Sequence, residues 1–233
     1  MLRKIDHRNM GKSNLGWLRS IFHFSFADYF NPVNINFGVL RVINDDLIEA
    51  NSGFETHPHN DMEIISYVID GELTHGDSMK NKSTLQRGHV QYMSAGTGVE
   101  HSEHNFGNGL ARFLQIWIYP DRIGHTPNYG EYRFDWELRH DQWLHIVSSI
   151  GGNAPIKIHQ DSNIYVLELS EGNTITFPVK VKRQAYLVQI EGDAKVNELQ
   201  LEARDAIEIV EEEINIVAQT TSHFILIEMA KAY

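Results

Sequence analysis

The 233-residue sequence contains no cysteine. Disulfide bonds, thiolate metal sites and a thiol nucleophile are therefore excluded, and any bound metal must be held by nitrogen and oxygen ligands. The chain also lacks a run of about 18 apolar residues, and its first 20 residues lack the apolar segment of a secretory signal. We therefore expect a cytoplasmic protein that does not have a membrane as a partner.

Clusters of basic residues are missing as well. The sequence has 20 Lys and Arg against 31 Asp and Glu, which gives a formal net charge of −11. A surface that follows a nucleic-acid backbone needs clustered positive charge. Direct binding to nucleic acid is therefore not expected.

Short apolar runs dominate the sequence, and turn-forming residues separate them. This alternation is typical of strands, and long helical patterns are scarce. The predicted strands are 35–43, 62–69, 89–93, 111–119, 164–169, 185–190, 206–210 and 224–229. The predicted turns are NDD (44–46), DGE (70–72), RGH (87–89), AGTG (95–98), EGN (171–173) and EGD (191–193). The pattern predicts an all-β protein, a mainly antiparallel sandwich or barrel.

A weak internal repeat indicates two tandem β-domains. Residues 67–93 and 186–210 both run strand, acidic-glycine turn, polar strand, turn, apolar strand. We expect the join within 119–134 or in the following segment through 155. The prediction is an N-terminal domain over residues 1–135 and a C-terminal domain over residues 136–233.

Two histidines lie one residue apart in THPH (56–59). Side chains two apart on a strand point to the same face, so His57 and His59 would project into one cavity. Pro58 disfavours a helix here and is tolerated near a strand edge. The spacing suits a metal site on a sheet, although two exposed or hydrogen-bonded histidines at a strand edge would also explain this pair alone.

A second same-face pair follows the glycine-rich turn. His101 and Glu103 are again two residues apart. Three imidazoles and a carboxylate suit Fe, Ni, Cu, Mn or Zn, and open coordination positions would admit water or substrate. The alternative is a solvated acidic turn from Glu100 to Glu103, which two same-face pairs make the weaker interpretation.

Four other side chains lie near these pairs. Glu63 is a rival ligand, or a partner that orients a ligand imidazole through a hydrogen bond. His104 has the opposite parity to the second pair. His75 and His89 are expected to be exposed to solvent or hydrogen-bonded to backbone.

These residues resemble the two motifs of the cupin superfamily. The first motif is matched, with small spacing changes, by Gly53, His57, His59, Glu63 and Gly71. The second is matched more loosely by Gly88, Gly96, His101 and Asn105, and Ser94 stands where proline is usual. More closely, the chain resembles bacterial members of the pirin family that are similar to quercetin 2,3-dioxygenase. The resemblance is carried by SFADYFNP (25–32), residues 37–79, QYMSAGTGVEHSEHN (91–105) and LQIWIYP (114–120). It is dense over 20–135 and looser beyond.

The resemblance implies a bicupin, with two jelly-roll barrels of six to eight strands placed face to face. It implies one divalent metal ion in the N-terminal barrel, held by His57, His59, His101 and Glu103, with Glu63 as a neighbour rather than a ligand. Fe(II) is the first expectation. Ni, Cu, Mn, Co and Zn stay open because His and Glu ligands suit several metals.

The resemblance also implies cleavage of a flavonol such as quercetin by O2, with release of carbon monoxide. Glu103 would accept the proton of the substrate hydroxyl and so act as the catalytic residue. Phe54, Met93 and Phe113 are candidates for holding a flat substrate, or are plain core. The alternatives are a metal-dependent redox-sensing regulator that acts through a protein partner, and a cupin with a structural metal. We expect a monomer, because the two barrels would already cover one another.

Overall fold

The computed structural model describes residues 1–231, and strands make up nearly all of its regular structure. Within that range the only helical segments are two short 3-10 helices, His7–Asn9 and Trp136–Arg139. No helix in the described part of the chain is long and apolar enough to cross a membrane. The prediction of an all-β fold is confirmed.

Twenty-two strands follow one another along the described chain. The first twelve are β1 (Leu2–Ile5), β2 (Gly11–Asn14), β3 (Leu18–Phe22), β4 (Leu40–Ile48), β5 (Ser52–His59), β6 (Glu63–Asp70), β7 (Glu72–Asp77), β8 (Lys82–Gln86), β9 (His89–Ser94), β10 (Val99–Asn105), β11 (Ala111–Ile118) and β12 (Asn128–Arg133). The other ten are β13 (Leu144–Ser149), β14 (Ile156–Ile158), β15 (Ser162–Leu169), β16 (Thr174–Pro178), β17 (Arg183–Glu191), β18 (Ala194–Val196), β19 (Leu199–Leu201), β20 (Ala206–Val210), β21 (Glu213–Ala218) and β22 (Ser222–Ala230).

One predicted strand and one predicted turn were wrong. The strand expected at 35–43 is β4, five residues later, and the turn expected at NDD (44–46) lies inside it. These three polar residues are almost fully buried. Their neighbours satisfy the two aspartates, because Arg112 donates two hydrogen bonds to the Asp45 carboxylate and Ser20 donates to Asp46. The other predicted strands and turns coincide with strands and strand junctions.

The chain forms two compact units. The N-terminal unit comprises residues 11–134 and 158–160, and the C-terminal unit comprises 1–10, 135–157 and the chain from 161 onward. The units differ from the segments 1–135 and 136–233 in two places. Strand β1 pairs with β20, which brings the first residues into the C-terminal unit, and the His159 N–H donates to Glu63 in the N-terminal unit. The division into domains at residues 1–135 and 136–233 remains a prediction.

The N-terminal unit contains two antiparallel sheets. The seven-stranded sheet has the order β12-β9-β6-β11-β4-β3-β2, and the four-stranded sheet has the order β5-β10-β7-β8. Six to eight strands were expected, and the described residues form eleven. The additional strands β2, β3 and β12 extend the two ends of the larger sheet.

The C-terminal unit repeats this arrangement. Its seven-stranded sheet has the order β1-β20-β17-β22-β15-β13-β14, and its four-stranded sheet has the order β16-β21-β18-β19. Strands β17 to β20 hold the positions that β6 to β9 hold in the N-terminal unit. The repeat seen in the sequence therefore corresponds to equivalent strands of two similar folds.

Candidate metal centre

Strand β10 carries the second predicted pair on its inner face. Burial alternates along the strand. His101 and Glu103 are each 1% exposed, whereas Glu100, which points to the other face, is exposed to solvent. This alternation follows from the two-residue period of a strand, because β10 lies between β5 and β7 with one face turned to the interior. The parity argument places both side chains correctly.

Strand β5 brings the first pair to the same place. His57 lies opposite His101 in the register, and His59 lies opposite Val99. A bulge then lets three residues of β5 span two of β10, so Phe54 lies opposite Glu103. The ring centroids of the three histidines are 4.5 to 4.8 Å apart.

Gly53 permits the close approach of these two strands. A Cβ atom at this position would lie 2.3 Å from the carbonyl oxygen of Glu103 and 2.5 Å from the Cα of His104. Such distances are too short for any side chain, so only glycine fits without moving the backbone. The first glycine of the motif thus sets the spacing between the strands that carry the two pairs.

The three imidazoles can share one ion. One ring nitrogen from each of His57, His59 and His101 lies within 4.8 Å of the others. The His57 Nδ1 lies 2.7 Å from the carbonyl oxygen of Glu55, and donation from Nδ1 leaves Nε2 free to bind a metal. The buried His101 ring has no hydrogen bond at either nitrogen within the described part of the chain. A buried imidazole without partners fits a ligand, because the metal would satisfy it.

Glu103 is held by three neutral donors. Its Oε1 accepts from the Ser66 hydroxyl at 2.8 Å and from Gln91 Nε2 at 2.5 Å, and its Oε2 accepts from Gln115 Nε2 at 2.6 Å. These donors fix the carboxylate without neutralising its charge. One of its oxygens lies within 4.8 Å of ring nitrogens of His75 and His101, so it can contribute an oxygen ligand to a cation bound by His101.

Burial keeps two of these histidines neutral. Burial, and to a smaller extent the neighbouring imidazoles, lower the pKa of His59 to about 4 and that of His101 to about 3. A metal binds the neutral imidazole, so ligation near neutral pH releases no proton from these rings. Imidazole nitrogens together with a carboxylate oxygen fit a mononuclear divalent transition-metal ion.

His75 was placed wrongly by the sequence. The expectation was an exposed or backbone-bonded side chain, but its ring is fully buried on β7 opposite Glu103. Its Nε2 lies 2.9 Å from Asp77 Oδ2, its ring stacks on Tyr129, and it forms a second group of close donor atoms with His101 and Glu103. The signal was present, since His75 and Asp77 are also two residues apart.

Glu63 faces away from this cluster. Ser66 on the same strand points to Glu103, and Glu63, three residues earlier, lies on the opposite face of the sheet. The Glu63 carboxylate accepts from the Ser94 hydroxyl at 2.7 Å and from the His159 N–H at 3.2 Å. It does not orient a histidine of the cluster, so that alternative is wrong.

The remaining histidines of the region lie outside the cluster. The His104 ring stacks on Phe106 on the outer face of β10, as its parity predicts. His89 accepts a hydrogen bond from the Gln86 N–H, in agreement with the expected backbone contact.

A cavity of about 210 Å³ opens beside the three histidines. It is lined by Phe26, Asn44, Asp46, Phe54, His57, His59, Glu103, Gln115 and Trp117. Trp117 packs edge-on against His59 and against Phe26, with centroid distances of 4.9 and 5.4 Å. Of the three apolar candidates, Phe54 lines the cavity, whereas Met93 and Phe113 belong to hydrophobic clusters.

Comparisons with known proteins agree with this arrangement. Residues 4–118 match the family described as Pirin, and residues 145–229 match the one described as quercetinase C-terminal cupin domain. The quercetin 2,3-dioxygenase of Escherichia coli K12 is 39% identical over 230 residues, which are 98% of this chain and 97% of that protein. A pirin-like protein of Caulobacter vibrioides is 40% identical over 232 residues, which are 99% of this chain and 100% of that protein.

A solved structure has the same fold throughout. The bacterial pirin YhhW of Escherichia coli, in complex with nickel(II), aligns with a TM-score of 0.93 and 35% sequence identity. The alignment covers 100% of both chains.

Proposed function

The chain belongs to the pirin family, and on that premise we propose that it is a metal-dependent dioxygenase that cleaves a flavonol such as quercetin with O2 and releases carbon monoxide. The observation that carries this proposal is the group of His57, His59 and His101, with Glu103 close to His101, beside a cavity with aromatic walls. The name of the Escherichia coli relative supports the choice of substrate.

One divalent metal ion would be held by these four residues. The unpartnered nitrogens of buried His101 and the free Nε2 of His57 support this ligand set. Fe(II) is the metal we propose. Nickel is the second candidate, because the related pirin was crystallised with nickel(II).

The bound cation would supply Lewis acidity, which favours the deprotonated form of a substrate hydroxyl. Glu103 would accept that proton at Oε2, the oxygen to which only Gln115 donates. The side chains of Phe26, Phe54 and Trp117 would enclose the flat ring and exclude water from it. Gln91 and Ser66 would keep the carboxylate in place while the proton moves.

Quercetin turnover tests the proposal. Protein reconstituted with Fe(II) or nickel(II) is incubated with quercetin, and the loss of flavonol absorbance is followed under air and under nitrogen. We expect loss under air only, and unchanged turnover in a His104→Ala control, because that ring lies on the outer face of β10. Absence of metal- and O2-dependent loss would contradict the enzyme. A redox-sensing regulator that acts through a protein partner would then be the function to test.

A further inference from the structure

Strand β4 contributes polar side chains to the wall of the cavity, in addition to its aromatic side chains. Asn44 and Asp46 are two residues apart, so they share the inner face of the strand, and both are only 3% exposed. Asn44 lies opposite Gln115 in the register with β11. These two β4 side chains have no part in the mechanism proposed above.

Asn44 is not satisfied by the protein. Its Oδ1 is buried and has no hydrogen-bond partner in the described part of the chain, and the same is true of the Trp117 Nε1. Buried polar atoms nearly always have partners, and an unpaired one destabilises the fold. Because both residues line the cavity, a ligand with a hydroxyl group would satisfy them.

Asp46 differs from the aspartate next to it. Asp45, on the opposite face of β4, forms a two-pronged ion pair with Arg112. Asp46 accepts from the Ser20 hydroxyl, and no ion pair of Asp46 is found within residues 1–231. Burial, with smaller contributions from the charges of Asp45 and Glu103, raises the pKa of Asp46 to about 7.

The groups that share the cavity with Asp46 explain why it remains without a counter-ion. Glu103 is a like charge, and the imidazoles of His57 and His59 are the other titratable groups that line the same space. A carboxyl group that is partly protonated near neutral pH can either donate a hydrogen bond to a ligand oxygen or accept one from a ligand hydroxyl.

We propose that Asn44 and Asp46 are specificity-determining residues that bind ring hydroxyl groups of the substrate other than the hydroxyl taken by the metal. The inference rests on the proposed function and narrows its substrate to a polyhydroxylated flat aromatic molecule. The cavity of about 210 Å³ is smaller than the range of roughly 300 to 1,000 Å³ usual for drug-sized ligands. A ring bound there therefore lies close to both the polar side chains of β4 and the histidines.

Equilibrium binding to the nickel-loaded protein under nitrogen tests this proposal without turnover. Quercetin and 3-hydroxyflavone share the hydroxyl next to the carbonyl group, but only quercetin carries the additional ring hydroxyls. Quenching of tryptophan fluorescence, to which Trp117 in the cavity wall contributes, gives each Kd. We expect the wild-type protein to bind quercetin at least tenfold more tightly than 3-hydroxyflavone.

The substitutions Asn44→Leu and Asp46→Leu remove the polar groups and keep side chains of similar volume. Each should reduce the preference for quercetin by about tenfold and leave the Kd of 3-hydroxyflavone within about twofold of the wild-type value. Asp46→Asn should keep most of the preference, because an amide also bonds to a hydroxyl. Asp28→Asn, an exposed aspartate in the loop before β4, is the matched control and should change neither Kd.

Nickel content and thermal unfolding of each variant report whether it is folded, and Asn44→Leu decides the question if Asp46→Leu does not fold. An unchanged preference in folded Asn44→Leu, or a wild-type protein without any preference, overturns the inference. These outcomes are separate from the turnover assay. Quercetin binding with the predicted preference but without O2-dependent loss would overturn the proposed enzyme and leave the recognition of hydroxyl groups intact.

Discussion

The two units share one strand order, but equivalent rows of side chains are polar in one unit and apolar in the other. In the N-terminal unit, one row of paired residues across β9, β6, β11 and β4 is polar throughout: Gln91, Ser66, Gln115 and Asn44. The corresponding row across β20, β17, β22 and β15 of the C-terminal unit consists of Ile207, Leu187, Leu226 and Tyr165. The same backbone therefore supports either a hydrogen-bonded network or a hydrophobic core.

The four-stranded sheets show the same contrast. Where β5 and β10 pair His57 with His101, β16 and β21 pair Ile175 with Ile216 and Phe177 with Ile214. The apolar residues of β16 and β21 belong to or pack against a single hydrophobic cluster. The same fold can thus hold either polar or apolar side chains in its interior. The N-terminal unit accommodates its buried polar groups because they form hydrogen bonds with one another or are available to a ligand.

The largest effect is expected from removing one imidazole, because the N-terminal unit would then lose the metal binding that distinguishes it from the C-terminal unit. His101→Ala takes away a proposed ligand whose ring centroid lies 4.5 Å from that of His57 and 4.8 Å from that of His59, and we expect metal affinity and quercetin turnover to fall by more than roughly 100-fold. Elemental analysis after dialysis against a fixed nickel concentration measures the effect. Metal content equal to that of the wild-type protein would contradict the ligand set.

The second largest effect is expected from exchanging the residue types of Leu226 and Gln115, which hold corresponding positions in the two rows. Leu226→Gln places an unpaired amide in the apolar core of the C-terminal unit and should lower the free energy of unfolding by roughly 3 to 5 kcal/mol. Gln115→Leu removes the donor to Glu103 Oε2 and should weaken nickel binding by about tenfold with little effect on stability. Urea unfolding and nickel titration separate the two, and equal destabilisation by both would refute the contrast.

The buried carboxyl of the N-terminal interior predicts a dependence of stability on pH. The pKa of Asp46 is 3.8 in an ordinary environment and about 7 in the fold, so the folded protein binds the proton more tightly. The resulting stability is present below pH 4 and is lost as the pH rises to about 7. Asp46→Asn should therefore gain roughly 2 to 4 kcal/mol relative to wild type between pH 4 and pH 8. Urea midpoints of the metal-free proteins measure this gain, and parallel pH profiles would disprove it.

A glycine substitution has the smallest expected effect. Gly53→Ala puts a Cβ atom against the β10 backbone and should cost about 1 to 3 kcal/mol, with weaker nickel binding because β5 must move away from His101. In Gly130→Ala on β12, the new Cβ atom meets nothing within 4 Å, so this control should change stability by less than about 0.5 kcal/mol. Thermal unfolding of both variants tests the difference, and equal losses would mean that β5 and β10 can separate freely.

Local periodicity was enough to predict most of the strands and the two pairs of side chains that share a face. The two-residue period places His57 with His59 and His101 with Glu103, and in the structure His57, His59 and Glu103 line one cavity while His101 groups with the two histidines. The repeat of strand and turn likewise predicted two similar folds. These features depend only on neighbours within a few residues, which a single sequence displays.

Features that depend on distant partners could not be predicted. The polar run at 44–46 looked like a turn because the residues that satisfy it, Ser20 and Arg112, lie 26 and 67 residues away. Glu63 looked like a partner of the cluster because its real partner, His159, lies 96 residues along the chain. His75 is a different case, because its spacing to Asp77 was visible and was not used.

The pairing of strand β1 has a consequence for folding during protein synthesis. Leu2 pairs with Ile209, so β1 cannot form its native pairing until β20 has been synthesised. At a synthesis rate of about 5 to 20 residues per second, that delay is roughly 10 to 40 s. During this time the backbone of β1 has not yet formed its native pairing and is free to pair with a strand of another chain.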